Sequence, residues 1–184
     1  MRQADGNSAL MIAIKHGNEQ ITKELLIYGA DVNQRNTNGD CALIEASKND
    51  HKEIVKLLCE YNAAINSKGE NGQTALFLEA AYGNVSMVKV LISYEADINQ
   101  RSDDGSTPLI ISSYNQHCKV VDVLLREGAK VNLYQRDGKT ALHFAAENGN
   151  IKIVELLLKN KANVDIYDGL GSSPLHLADE KAIS

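Results

Sequence analysis

The sequence predicts an all-α solenoid of helix–turn–helix units joined by hairpin loops, and three regularities carry that expectation. Gly6, Gly39, Gly72, Gly105, Gly138 and Gly171 recur every 33 residues without insertion, and each is followed four residues later by Leu10, Leu43, Leu76, Leu109, Leu142 or Leu175. A second leucine column (Leu25, Leu58, Leu91, Leu124, Leu157) and an alanine column (Ala30, Ala63, Ala96, Ala129, Ala162) keep the same register. Columns that stay in step over this length are the mark of a repeat array. The 184 residues therefore read as one repeat domain, 1–184, with five full 33-residue repeats at about 3–35, 36–68, 69–101, 102–134 and 135–167 and a partial sixth over 168–184.

Each unit opens on a turn signal, as in Asn38-Gly39, Asn71-Gly72, Asp104-Gly105 and Asp137-Gly138, where positive φ is tolerated. A hydroxyl N-cap and helically spaced apolar residues then predict a short first helix, clearest in Thr140-Ala141-Leu142-His143-Phe144-Ala145-Ala146-Glu147. Gly17, Gly83 and Gly149 are placed to end that helix. Ile151 to Leu158 opens a second, more amphipathic one, and Gly29 and Gly128 close the second helix in their own units. An extended loop follows through the β-branched column and the asparagines Asn33, Asn66, Asn99 and Asn132. One such unit cannot bury both sides of its helices, so units stack and share a core in which alanines let helices approach and leucines fill the gaps.

The motifs Gly105-Ser106-Thr107-Pro108-Leu109, Gly138-Lys139-Thr140-Ala141-Leu142-His143-Phe144-Ala145-Ala146 and Ser173-Pro174-Leu175-His176-Leu177-Ala178 resemble the ankyrin repeat signature, and the likeness covers nearly the whole chain. The resemblance implies a non-enzymatic protein-interaction scaffold with a concave groove lined by loop tips and first helices. It also implies that His143 and His176 hydrogen-bond neighbouring loops, and that the asparagine column matches residues hydroxylated in some relatives. Array ends need polar outer faces. Thr22 and Glu24, in columns otherwise apolar, read as an N-terminal cap, and Asp179, Glu180 and Lys181, replacing apolar positions where the sixth unit stops, read as either a C-terminal cap or a cloning boundary.

Composition narrows the function further. Nineteen Lys+Arg against 24 Asp+Glu leave a net charge of −5, with no basic excess to neutralise phosphates, so nucleic acid is not an expected partner. No apolar run approaches the roughly 18 residues of a membrane span, and Met1 to Asp5 lead into no signal-peptide core. Cys41, Cys59 and Cys118 are odd in number and lack dithiol spacing, which points to reduced thiols and a cytoplasmic setting. Gly138-Lys139-Thr140 imitates a phosphate-loop ending, but Leu133 stands where that motif needs glycine. His51 and Cys59 would lie about 12 Å apart along a helix, too far to share a metal. No catalytic residue, cofactor or metal site is expected.

Recognition is thus expected from the positions the pattern leaves free, with a protein or peptide partner and a monomeric chain. The tip column reads Arg35, Lys68, Arg101, Tyr134 and Tyr167, and the first-helix ends add Tyr82 and Tyr114. Tyrosine and arginine offer large amphipathic contact area with few rotamers to freeze. These seven are the candidate binding residues. Tyr28, Tyr61 and Tyr94 form a separate ladder assigned to inter-repeat packing, and Glu70, Asp103, Asp104 and Asp137 are expected to cap turns. Glu45 and Glu79 interrupt apolar and alanine columns. A buried carboxylate needs a partner, so these two form either ion pairs and partly exposed groove residues or an acidic pocket between repeats two and three. An alternative to the adaptor is a targeting or regulatory module of a larger protein whose catalytic domain lies elsewhere.

Overall fold

The computed structural model describes residues 6–182, with side-chain environments through 178. Helices come in pairs, short then longer: α1 (Ala9–Lys15) and α2 (Glu19–Ile27), α3 (Ala42–Lys48) and α4 (Lys52–Glu60), α5 (Ala75–Tyr82) and α6 (Val85–Ser93), α7 (Pro108–Tyr114) and α8 (Cys118–Arg126), α9 (Ala141–Glu147) and α10 (Ile151–Lys159). The last, α11 (Pro174–Ala182), stands without a second helix among the described residues. First helices pack on first helices and second on second along the array, giving two layers with the core between them. Leu43, Leu58, Leu76, Leu91, Leu109, Leu124 and Leu157 are buried throughout that core, as the two leucine columns require.

Local chemistry sets the helix limits. Ser8, Thr74, Thr107 and Thr140 each accept a hydrogen bond from the backbone N–H three residues on, and Pro108 occupies the first turn of α7, where its missing N–H costs nothing. The residue that ends the first helix is left-handed in every described pair. Gly83 takes it at φ 76°, and the same position is held at φ 54° by Asp50 and 61° by Gln116. Side chains in that region are strained by roughly 1–2 kcal/mol.

Between pairs the chain projects a hairpin finger, with single antiparallel bridges Arg35–Cys41 and Tyr134–Thr140 at two of its bases. Fingers bond to one another through the backbone: Asp103 N–H donates to Asn71 C=O and Arg136 N–H to Asp104 C=O, both at 2.9 Å. The asparagine column makes a second ladder. Asn33, Asn66, Asn99 and Asn132 Oδ1 accept from the N–H of Ala64, Asp97, Lys130 and Asn163 at 2.7–2.8 Å.

Two expectations are corrected. Thr22 is wholly buried, not an outward cap: its hydroxyl donates to Asn18 C=O at 2.8 Å, which lets it fill a valine position facing the next repeat. Ile21 and Ile27 are exposed apolar residues of α2, among the exposed Glu19, Gln20, Lys23 and Glu24. Of the Tyr28, Tyr61 and Tyr94 ladder, Tyr61 packs on the core, while Tyr28 and Tyr94 at the ends of α2 and α6 are exposed. The side chains of Asp179, Glu180 and Lys181 lie outside the described residues.

Candidate functional site

The fingers and the last turns of the first helices face each other across a groove, and the tip column divides in two. Arg35 donates to Gly39 C=O and to Lys68 C=O, Lys68 to Arg101 C=O at 2.7 Å, and Arg101 to Gly105 C=O at 3.1 Å and to Tyr134 C=O. Each basic tip thus fastens its own finger to the next one, 33 residues on. Tyr134 and Tyr167, in the same column, have no such reach and stand exposed, with the Arg101 guanidinium 5.5 Å from the Tyr134 ring centre.

A histidine does this fastening in repeat five. His143 is wholly buried; its Nδ1 accepts from the Thr140 N–H at 3.1 Å, which leaves Nε2–H to donate to Ser172 C=O at 3.2 Å in the next finger. Burial holds its imidazole below the ordinary value, against the pull of the Ser172 carbonyl and Asp168. The column positions in repeats two to four are the apolar Ile44, Phe77 and Ile110. His117 makes a comparable bond across repeats: its Nε2 bonds Ala81 C=O at 2.9 Å and its ring lies against Gly83.

At the first-helix ends, Asn115 and Asn148 donate back to Ala81 and Tyr114 C=O of the preceding repeat. Tyr82 shares their column and is exposed. Tyr114 is exposed as well and meets Phe144 edge-on, centroids 5.3 Å apart. Together with Ile110, Ile111, Asp104, Asp137 and Lys139 they line a recess of about 240 Å³ between repeats four and five. Ion-pair clasps of opposite polarity flank the middle of the groove. Lys48 binds Asp40 at 2.6 Å in repeat two, and Lys139 binds Glu147 at 2.9 Å in the same columns of repeat five. Partial burial pulls the Lys48 ammonium down, but the Asp40 and Glu70 carboxylates outweigh it and hold it above its ordinary value. Repeats three and four carry Gln73 with Ala81 and Ser106 with Tyr114 there, so the clasp gives way to aromatic surface.

The acids behave differently from one another. Asp104 caps its turn, accepting from Ser106 N–H at 3.0 Å and from the Ser102 hydroxyl; burial would raise its carboxyl, but these bonds hold it below the usual range. Asp137 likewise accepts from Lys139 N–H at 3.0 Å. Glu45 is half-buried and takes the Asn49 amide at 3.1 Å within its own helix. Glu79 is 0% exposed. Its Oε2 accepts from Asn84 Nδ2 at 2.7 Å, and the same amide reaches Asp50 at 2.8 Å, while Oε1 and the buried Ser47 hydroxyl have no well-formed bond. Desolvation pushes the Glu79 carboxyl above its ordinary value, the Asn84 and Ser47 groups opposing it only in part. Cys41, Cys59 and Cys118 are unbonded thiols, and burial pushes Cys59 up to about 11.

Exposed tyrosine side chains thus stand beside fingers that are tied to one another. No three His, Cys, Asp or Glu side chains converge among the described residues, and none of the described helices is long and apolar enough to cross a membrane. The ankyrin-repeat family model matches in three copies, over residues 1–69, 61–135 and 127–182, and the chain belongs to the ankyrin repeat family. Such repeats are generally protein–protein interaction modules and typically carry no catalytic centre. No curated protein matches the chain.

Proposed function

We propose that the chain is a non-enzymatic adaptor, monomeric and cytoplasmic, that holds a protein or peptide partner in its groove. Tyr82, Tyr114, Tyr134 and Tyr167 are the contact residues, with the recess beside Phe144 receiving one apolar side chain of the partner. The single observation that carries this reading is that these four tyrosines are exposed while polar residues in their columns are tied down, to carbonyls in the columns of Tyr82, Tyr134 and Tyr167 and in ion pairs in that of Tyr114. An exposed aromatic row on an otherwise fastened framework is rigid contact area available to a partner. Arg35, Lys68 and Arg101 contribute positive charge at the rim, but their donors already serve the neighbouring fingers.

The test is capture of partners by the wild-type chain against a Tyr82→Ala/Tyr114→Ala/Tyr134→Ala variant, checked to unfold at the same temperature. Loss of the captured set is the expected result. Equal capture by both forms overturns the assignment.

A further inference from the structure

The joint between repeats two and three is built differently from those that follow it. The column that lets first helices approach holds Ala13, Ala46, Ser112 and Ala145, and Ser112 ties its hydroxyl to Leu109 C=O of its own helix. Glu79 stands in that column on α5, and both helix layers are loosest beside it. There α3 and α5 come together over less of their length than any other neighbouring first helices, and α4 and α6 over less than any other neighbouring second helices. The ties change as well. At the three following joints a finger N–H, of Asp103, Arg136 or Gly169, donates to a C=O of the preceding finger, whereas here the Glu70 N–H goes to the Asp40 carboxylate at 2.8 Å. Asn115 and Asn148 fasten the later first-helix ends to the repeat before, and Tyr82 stands in their place at this joint.

We propose that the array parts at this joint, repeats one and two loosening as one unit while repeats three to five stay packed, and that a proton on Glu79 holds the joint shut. Parting returns Glu79 to water and to its ordinary 4.5, whereas burial holds the carboxyl higher in the packed form. It therefore releases a proton and grows with pH, by up to about tenfold per unit between those two values. The charged groups that face Glu79 are Asp50 after α3 and Lys52 at the start of α4, 3.6 Å from each other. Glu45 and Lys48 on α3 are engaged with Asn49 and with Asp40 and Glu70, Glu53 and Lys56 on α4 with each other, and His51 lies against Gly17 in the preceding joint. Lys89 on α6 is exposed, α7 on the far side of α5 carries no charged residue, and His117 beyond it is bonded to Ala81 C=O. Parting takes the Arg35 end of the groove away from Tyr114, Tyr134 and Tyr167, which lie beyond the joint.

The experiment is native-state hydrogen exchange on the intact chain between pH 4.5 and 7, corrected for the intrinsic rate at each pH. The amides of α1 to α4 are expected to exchange through one common opening, at least about tenfold more frequent than the one that exposes α5 to α10 and more frequent as pH rises. Glu79→Ala should cut that opening about tenfold at pH 7, and Glu79→Gln, of the same size, should remove its pH dependence. Exchange that slows step by step from α1 to α4, as an end that frays would show, overturns the inference. So does a boundary at another joint, an opening indifferent to pH in the wild type, or a pH dependence kept by Glu79→Gln.

Discussion

Fingers two to four and finger five solve one mechanical problem in two ways. In the first group a basic tip reaches across to the next finger's carbonyl, and the histidine column holds Ile44, Phe77 or Ile110. In finger five the tip is Tyr134 and His143 makes the crossing bond to Ser172 from inside the core. The difference teaches that the tip and the histidine column can exchange the fastening role. Where a buried imidazole makes the crossing bond, the tip side chain is left exposed, and on the proposed reading that tip serves a partner instead.

The largest effect expected from disturbing this arrangement is at His143. His143→Ala strands the Thr140 N–H and removes the side-chain tie to Ser172, leaving finger six held to finger five by the Gly169 N–H to Asp137 C=O bond, and should cost about 2–3 kcal/mol in urea unfolding. The pH dependence has a definite sign. Since burial holds the imidazole below its ordinary 6.5, the folded chain binds fewer protons than the unfolded one. Its contribution is complete above that value and is lost as pH falls through the lower folded one. A His143→Ile variant should lack that acid limb.

Glu79 is the opposing case in the N-terminal half, a fault in the seam between repeats two and three. Glu79→Ala, which restores the residue of Ala13, Ala46 and Ala145, should raise stability at pH 7 by about 1–2 kcal/mol. The carboxyl's folded value is raised, so the protonated form is the compatible one, and the wild type should lose stability as pH rises from 4.5 through that value. The gain from alanine should therefore shrink in acid. Glu45→Ala, at a half-exposed site bonded within its own helix, should move stability by no more than about 0.5 kcal/mol.

The 33-residue register made the helix pairs, the fingers and the leucine core legible from the sequence, because each depends on periodic apolar spacing and turn chemistry. The roles of the tip residues were not legible. Column position places Arg101 and Tyr134 alike, and only the reach of a guanidinium to a carbonyl one repeat away separates a fastener from a free contact. Thr22 misled for a related reason: a hydroxyl bonded to its own helix is as buriable as valine, and composition does not reveal that bond.

Smaller effects sharpen the same contrast. Arg101→Ala should cost about 1–2 kcal/mol, through two carbonyl bonds and the stacked Tyr134 ring, while Tyr134→Ala should stay within about 0.5 kcal/mol and reduce partner capture instead. Gln116→Gly, relieving the left-handed residue at the end of α7, should raise the unfolding free energy by about 0.5–1 kcal/mol without touching capture.

The exchange of roles between tip and histidine is tested most directly by a double-mutant cycle on Tyr134→Arg and His143→Ile, read by urea unfolding. The account requires coupling: arginine at 134 should recover about 1 kcal/mol in the His143→Ile chain and add much less to the wild type, whose finger is already fastened. Strict additivity of the two substitutions would contradict it.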